Sequence, residues 1–534
     1  MTGLCNLDAV LDIAVIGAGF AGLHMLDRLR EHGFSCHAYE SATGVGGTWF
    51  WNRYPGARCD VESLDYSYLH DRELYATWQW SERFATQPEI LRYAEHFAHR
   101  RGLWPHITTG TTITGAAFAD GAWTLTTDTD ERVRARFVVT AVGCMSAVNT
   151  PAIPGLARFG GTVLRTSRWP AEPVELAGRR VGVVGTGSSG IQVVPELAKT
   201  AAELVVFQRT ANFSVPARNR PLTQAERDAA VAGYEQRVEN ARTTRFGHPV
   251  TGTGRAALET DPAGRTAEFD KGWARGGTHI VATFTDTGRD LTANAVLADY
   301  FRDRVREAVH DPETARALTP TGYPIGTKRL CVDDDYYETF NLPHVRLVDL
   351  RDDPIQEVTE TGIRTTRSDH ELDVLVLATG FDAFTGALTR MGITGRDGQL
   401  LADTWRDGPR SYLGLAMAGF PNLFTLTGPG STMVLSNVMR AIEHHVEWVR
   451  DLLVYAREHD ITEIEAIESA QDDWVAKVAD LAGKTLYPHT DSYYLGANIE
   501  GKARVFAPFA GGLDAYRRIC DGVANEGYRG FRTA

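Results

Sequence analysis

Two stretches of this 534-residue chain repeat one pattern of apolar and polar positions. In LDIAVIGAGFAGLHMLDRLREHGFSCHAYE, an apolar run turns through Gly17, Gly19 and Gly22 into an amphipathic helix, and a second strand ends at Glu40. In RRVGVVGTGSSGIQVVPELAKTAAELVVFQRT, the same order recurs around Gly185, Gly187 and Gly190, and the following strand runs into Gln208, Arg209 and Thr210. An apolar run that closes in a glycine turn and opens into a helix predicts a βαβ unit. Two further runs, FVVTAVGCM (137–145) and ELDVLVLATGFDAFTG (371–386), read as buried strands, the second ending in a tight turn at 379–382. The stretch 222–320 is rich in charge and helix formers and predicts helices that cover the second βαβ unit. In SNVMRAIEHHVEWVRDLLVYAREH, Val438, Ile442, Val446, Val449 and Leu453 fall at helical spacing, so a helix packed in the first unit is expected, with His444 and His445 structural.

The glycines give the pattern its chemistry. The first makes the turn, the second lets backbone approach a pyrophosphate, and the third lets helix and strand pack; an acid at the end of the next strand bonds a ribose hydroxyl. Gly17, Gly19, Phe20, Ala21, Gly22 and Glu40 meet that description. Gly185, Thr186, Gly187, Ser188, Ser189, Gly190 and Gln192 form the second loop, but there the acid is replaced by Arg209 and Thr210. A cation at that place suits a 2′-phosphate and favours NADP over NAD. The surrounding sequence is not repeated, so the two loops are expected to serve different dinucleotides. The fold class is α/β, with two Rossmann-like dinucleotide-binding domains and a helical insertion.

Length, charge and cysteine usage narrow the classes. A single core stops growing near ~250–300 residues, so the chain divides into domains. The formal net charge of −13 argues against a nucleic-acid partner. Six scattered cysteines, Cys5, Cys36, Cys59, Cys144, Cys331 and Cys520, show neither a disulfide framework nor zinc-ligand spacing, so no metal is expected. No apolar run reaches the ~18–20 residues of a membrane span, and the first residues lack a basic region followed by an apolar stretch. The expectation is a cytoplasmic protein without a membrane partner, a monomer or weak homo-oligomer.

GVGGTWFWNRYPGARCD (44–60) mixes glycine, aromatic residues and arginine and ends in Asp60, and FGGTVLRTSRWP (159–170) precedes the second loop in what reads as a connecting segment. Together they resemble the type I Baeyer–Villiger monooxygenases, nearest the phenylacetone and steroid monooxygenase branch. That family's fingerprint is Phe-x-Gly-x-x-x-His-x-x-x-Trp followed by Pro or Asp; Phe159, Gly161, Trp169 and Pro170 match it. TGYPIGTKRLCVDDDYYETFN (321–341), TGPGSTMVLSNVMRAIEHHVEWV (427–449) and YYLGANIEGKARVFAPFAGG (493–512) extend the resemblance over nearly the whole chain. Two positions depart. Arg165 stands where the family has histidine, and Ser492-Tyr493-Tyr494 stands where close relatives have Ser-Trp-Tyr, at the aromatic that reaches the nicotinamide nucleotide.

The resemblance implies FAD and NADPH as cofactors, dioxygen and a small hydrophobic ketone as substrates, and an ester or lactone as product, through a C4a-peroxyflavin that also oxidises sulfides. It implies that Arg329 stabilises negative charge in the reaction and that Asp60 sits beside it. Lys328 would pair with the 2′-phosphate alongside Arg209. Gly47, Thr48, Trp49, Trp51, Arg58, Cys59, Tyr66, Val438 and Tyr493 would line the cofactors, and Cys144, Met145, Met433, Val434 and Leu435 the ketone pocket. The fingerprint would couple the motion of the two nucleotide domains, with Arg165 affecting how well NADPH oxidation is tied to oxygen insertion. The implied domains are an FAD domain of 1–145 and 386–534, an NADP domain of 155–221 and 321–385, and the insertion 222–320. Two alternatives stay open: an N-hydroxylating or S-oxidising flavin monooxygenase, which Trp169-Pro170 and the Arg329 motif argue against, and an uncoupled NADPH oxidase or dinucleotide-binding paralogue, which Arg165 and Tyr493 keep in play.

Overall fold

Strand Leu11–Ile16 lies between Cys36–Glu40 and Arg132–Thr140, parallel to both, in a computed structural model that describes residues 10–250 and 252–534. Cys5 lies outside the described residues. The last four residues of Leu11–Ile16 are buried, which is why the run is apolar without alternation: both faces of the sheet are covered. Ile107–Thr109 extends one edge, and Ala122–Thr127 and Ile113–Ala119 extend the other in antiparallel register. Two late segments, Ile393–Thr394 and Leu423–Thr425, complete this sheet. Helix Val438–Glu458 packs against helix Phe20–Glu31, burying Ile442, Val446, Val449 and Leu453 in the same core. His445 Nδ1 accepts from the Thr427 backbone at 3.1 Å, and burial holds the imidazole far below its ordinary value.

The second sheet is wholly parallel and runs Val345–Asp349, Glu203–Gln208, Arg180–Val184, Val374–Leu377, Thr162–Arg165. The fingerprint therefore begins as its edge strand, with Arg165 in register with Leu377, rather than as an irregular connection. In both sheets the third glycine of the loop is sterically required. A Cβ on Gly22 would lie 1.9 Å from the Gly17 carbonyl oxygen, and one on Gly190 would lie 2.2 Å from that of Gly185.

The insertion departs from expectation. Its first helices, Gln224–Ala232 and Tyr234–Thr243, pack on the first unit: Ala230, Tyr234 and Ala241 cluster with Leu69 and Tyr75, the Tyr234 hydroxyl donates to the Leu69 carbonyl at 2.5 Å, and Arg237 pairs with Asp65. Helices Leu291–Ala308 and Pro312–Leu318 do reach the second unit, through Val305, Ala315 and Leu318. Between them Phe269, Phe284, Leu297 and Phe301 form a core shared with Phe213 and Val215 of the second unit and Phe84 of the first.

Strand Cys331–Asp333 pairs with Ser214–Pro216 and carries a buried acid. Asp333 accepts from the Ser214 hydroxyl and from the Tyr336 backbone at 3.2 Å, but burial outweighs both and pushes its carboxyl up to about 6. A raised folded value means that the fold favours the protonated acid, so its stabilisation is present below the ordinary carboxylate range and is lost as pH rises through about 6. Asp333→Asn keeps an acceptor for Ser214 and removes the charge. Its melting temperature is expected to exceed the parent's at pH 8, by an effect of about 3 kcal/mol at most, and to converge with it by pH 4. Scanning calorimetry at the two pH values checks this; an equal or larger gain at pH 4 would contradict it.

Candidate functional site

At the first loop, the backbone folds on its own glycines. Gly46 donates to the Ala18 carbonyl at 3.0 Å, and a Cβ on Gly47 would lie 3.0 Å from Gly19 Cα, so the Gly17–Gly22 turn and the start of the short helix Thr48–Trp51 touch with no side chain between them. Glu40 closes the loop from the neighbouring strand. One carboxylate oxygen accepts from Ala18 N at 2.7 Å, the other from Ala42 N at 2.8 Å and from the Ser41 hydroxyl at 3.2 Å. Trp49 donates its indole N–H to the Tyr66 hydroxyl at 2.9 Å, and both are buried beside Phe20 and Cys59. Val438 stands at the first position of its helix, which Asn437 caps by accepting from Met439 N at 3.0 Å. Thr48 is exposed, and Ala21 and Gly22 are buried within the turn.

At the second loop, Gly187 precedes helix Ser188–Ala198 with no atom within 4 Å of where its Cβ would stand. That opening faces a helix N-terminus, whose N–H groups suit a phosphate. Thr186 donates to the Thr210 carbonyl at 2.9 Å, which ties the loop to the end of the next strand, where Arg209 is exposed. Lys328 is half-buried over the Tyr323 ring, with its ammonium 5.0 Å from the ring centroid. Burial first, and then the charge of Arg209, lowers the Lys328 ammonium from its ordinary value. Two cations held near each other next to an open glycine turn fit a doubly charged phosphate. Gln192 joins the units: it accepts from the Tyr54 hydroxyl at 2.7 Å and donates to the Arg58 carbonyl at 3.0 Å. Ser188 hydrogen-bonds the Cys331 thiol at 3.5 Å, and Ser189 opens the same helix.

Between the loops lies Arg329. Its Nε and Nη2 donate to the two oxygens of Asp60 at 2.9 and 2.8 Å, and its Nη1 donates to the Val434 carbonyl at 2.7 Å. The Asp60 charge raises the guanidinium well above its ordinary value despite burial, so it remains a cation at any working pH. A bidentate pair fixes the plane of the guanidinium. Val434 belongs to the turn Met433–Leu435, where Met433 is fully buried in left-handed backbone at φ 38°. A non-glycine residue held there stores strain. Cys144, Met433, Val434 and Leu435 share one apolar cluster with Phe384, Tyr493 and Tyr494; Met145 is half-buried and outside it. The Tyr493 ring lies 4.4 Å from that of Tyr494 and 5.9 Å from that of Phe384.

The remaining residues are dispersed. Arg58 donates to Glu82 at 2.5 Å and to the Phe84 carbonyl at 2.7 Å, with Asp334 3.8 Å away. Phe159 packs beneath the second sheet and Trp169 is buried in the second unit's core, whereas Pro170 is exposed. A Cβ on Gly161 would lie 2.4 Å from the Asp373 carbonyl oxygen. The Arg165 side chain is half-buried and makes no hydrogen bond or ion pair with the described residues. Trp51 carries the guanidinium of Arg168 over its ring at 4.1 Å. Sequence reasoning missed Arg168, Tyr494 and Phe384. Tyr494 had a signal, its place beside Tyr493; Phe384 and Arg168 had none.

This arrangement sets two glycine loops of dinucleotide-binding form in one chain with a guanidinium fixed by Asp60. The model of the flavin-binding monooxygenase-like family matches residues 11–219. Phenazine N-monooxygenase PhzNO1 of Lysobacter antibioticus is 41% identical over 97% of this chain and 96% of its own. A Baeyer–Villiger monooxygenase of Pseudooceanicola batsensis is 38% identical over 98% and 96%. Among solved structures, oxidized steroid monooxygenase bound to NADP matches with a TM-score of 0.94 and 46% identity, covering 98% of this chain and 99% of that one. An OTEMO complex with FAD and NADP matches with a TM-score of 0.95 and 37% identity over the same shares. The chain belongs to the flavin-binding monooxygenase-like family, as a type I Baeyer–Villiger monooxygenase. It is an oxidoreductase with FAD and NADP(H) as cofactors. Among the described residues no helix is long and apolar enough to cross a membrane.

Proposed function

We propose that this enzyme converts a bulky hydrophobic ketone to an ester or lactone at the Arg329 site, in the cytoplasm, as a monomer or weak homo-oligomer with no nucleic-acid partner. The bidentate Arg329–Asp60 pair, aimed through Val434 at the apolar cluster, carries this reading. NADPH, a proton, dioxygen and the ketone give NADP⁺, water and the ester: one oxygen atom enters the bond beside the carbonyl and the other leaves as water. Bound FAD, reduced by NADPH, supplies the activation of dioxygen. Arg329 stands ready for the negative charge that develops on the substrate oxygen, and a donor fixed in advance needs no reorganisation when that charge appears. Asp60 sets the direction of the guanidinium. The cluster of Cys144, Met433, Val434, Leu435, Phe384 and Tyr493 supplies an apolar wall that excludes water. Lys328 and Arg209 receive the 2′-phosphate of NADPH.

The holoenzyme with NADPH, ¹⁸O₂ and phenylacetone is expected to give benzyl acetate carrying one ¹⁸O, read by mass spectrometry. NADPH oxidation with stoichiometric hydrogen peroxide and no ester across a panel of ketones would replace this reading with that of an uncoupled oxidase. N-monooxygenase activity is named among the relatives, so a heteroaromatic amine belongs in the same panel; an N-oxide formed in place of any ester would favour the N-hydroxylating alternative.

A further inference from the structure

The fingerprint segment is anchored in the second unit at both ends, and a side chain between those anchors reaches the first unit. Strand Thr162–Arg165 pairs with Val374–Leu377, Thr166 and Ser167 are buried, and Trp169 is buried in the second unit's core. Arg168 turns outward across the divide. Its guanidinium lies over the Trp51 ring at 4.1 Å, its Nη1 donates to the Ser167 carbonyl at 2.9 Å, and its Nη2 reaches the Ser146 carbonyl at 3.4 Å. Trp51 ends the short helix that packs on the first glycine loop. Its ring meets Phe50 edge-on at 5.2 Å, and Phe50 in turn carries Arg53 at 4.2 Å. Ser146 lies on the segment that returns the chain between the two units, just beyond Cys144, whose carbonyl accepts from Phe384 N at 2.7 Å. Burial disfavours the Arg168 charge and lowers its guanidinium from the ordinary value. The indole face recovers part of that loss, because a cation over tryptophan gains most where water is excluded.

We propose that Arg168 is a positioning residue that ties the second nucleotide unit to Trp51 and the crossing segment, and so carries the coupling expected of Arg165. A guanidinium stacked on a ring and bonded to two carbonyls holds direction, and the described residues give Arg165 no such contact. The consequence concerns the fate of oxygen. When the tether is lost, NADPH is still oxidised, but more of the oxygen leaves as hydrogen peroxide because Trp51 and the crossing segment are no longer held against the second unit.

The inference rests on the ketone-oxidising reading, so the parent's ester yield is measured first; absence of ester in the parent counts against that reading and not against Arg168. Arg168→Gln, Arg168→Lys, Trp51→Phe and Arg165→Gln are then compared in flavin-loaded form. Arg168→Gln is expected to raise peroxide released per NADPH at least threefold while NADPH oxidation stays within twofold. Arg168→Lys should recover part of the coupling, Trp51→Phe should leak to an intermediate degree, and Arg165→Gln should match the parent. Small-angle scattering of the NADP-free protein adds a readout independent of turnover: Arg168→Gln should broaden the distribution of distances between the units. Should Arg168→Gln lose flavin, the leak is read from Arg168→Lys and Trp51→Phe. Parent-like coupling in those variants, or a leak confined to Arg165→Gln, would overturn the proposal.

Discussion

Arg329→Ala is expected to lower ester formation by about 10²–10³-fold, the usual cost of removing one preorganised donor from a developing oxyanion, while leaving NADPH oxidation active. The asymmetry is the point of the experiment. Arg329 makes three hydrogen bonds, two to Asp60 and one to Val434, and none to Lys328 or Arg209. Arg329→Lys should recover little. An ammonium offers no planar fork, so it cannot hold both Asp60 oxygens and the Val434 carbonyl in one plane. Asp60→Asn tests the other half of the pair: it keeps the shape, weakens the anchor, and should lie between the parent and Arg329→Ala in ester formation. Ester formation is followed by chromatography and NADPH loss by absorbance on the same samples. An Arg329→Ala enzyme that makes ester at parental rates would remove the cation from the reaction.

The sequence carried much of this site, and what it carried was local. Gly17, Gly19 and Gly22 sit within one turn, and the packing of Gly19 against Gly47 follows from a second glycine-rich stretch visible nearby. Lys328 and Arg329 are adjacent, and the motif around them marked them out. The pairing of Arg329 with Asp60, 269 residues apart, came through the family resemblance and not through spacing. The insertion shows the limit from another side. Periodicity announces helices at 224–243 but does not name the surface that receives them, and the acceptor carbonyl of Leu69 and the carboxylate of Asp65 lie in the first unit. Arg58 shows it again: a basic residue in a nucleotide-lining motif is bonded here to Glu82, because the bend of the loop brings that acid within reach. At the fingerprint, attention falls on Arg165 because it departs from a pattern. Arg168 occupies an unspecified position, and only the fold sets Trp51 beneath it.

Lys328→Ala is expected to raise the KM for NADPH by about 10–100-fold and to leave that for NADH within twofold. A charge-assisted hydrogen bond to a buried or half-buried anion contributes about 1.5–3 kcal/mol, and every 1.4 kcal/mol is about tenfold. NADH lacks the 2′-phosphate and so has nothing to lose at this position. Arg209→Ala should act in the same direction but more weakly, since Arg209 is exposed and more of its interaction is screened by solvent. The double variant should bring the two coenzymes close to parity. The pair also predicts a pH dependence with a definite sign. Burial and the Arg209 charge lower the Lys328 ammonium, so in the free enzyme it loses its proton, and with it its hold on the phosphate, at a lower pH than an ordinary lysine. In kcat/KM for NADPH, which reports the free enzyme, the alkaline limb should therefore fall early in the parent. Removing the like charge in Arg209→Ala should move that limb upward, even as the absolute value drops, and in Lys328→Ala the limb should vanish. The NADH profile is the internal control: it should show no alkaline limb of this origin in any of the variants. An unchanged limb in Lys328→Ala would assign it to another group and detach Lys328 from the phosphate.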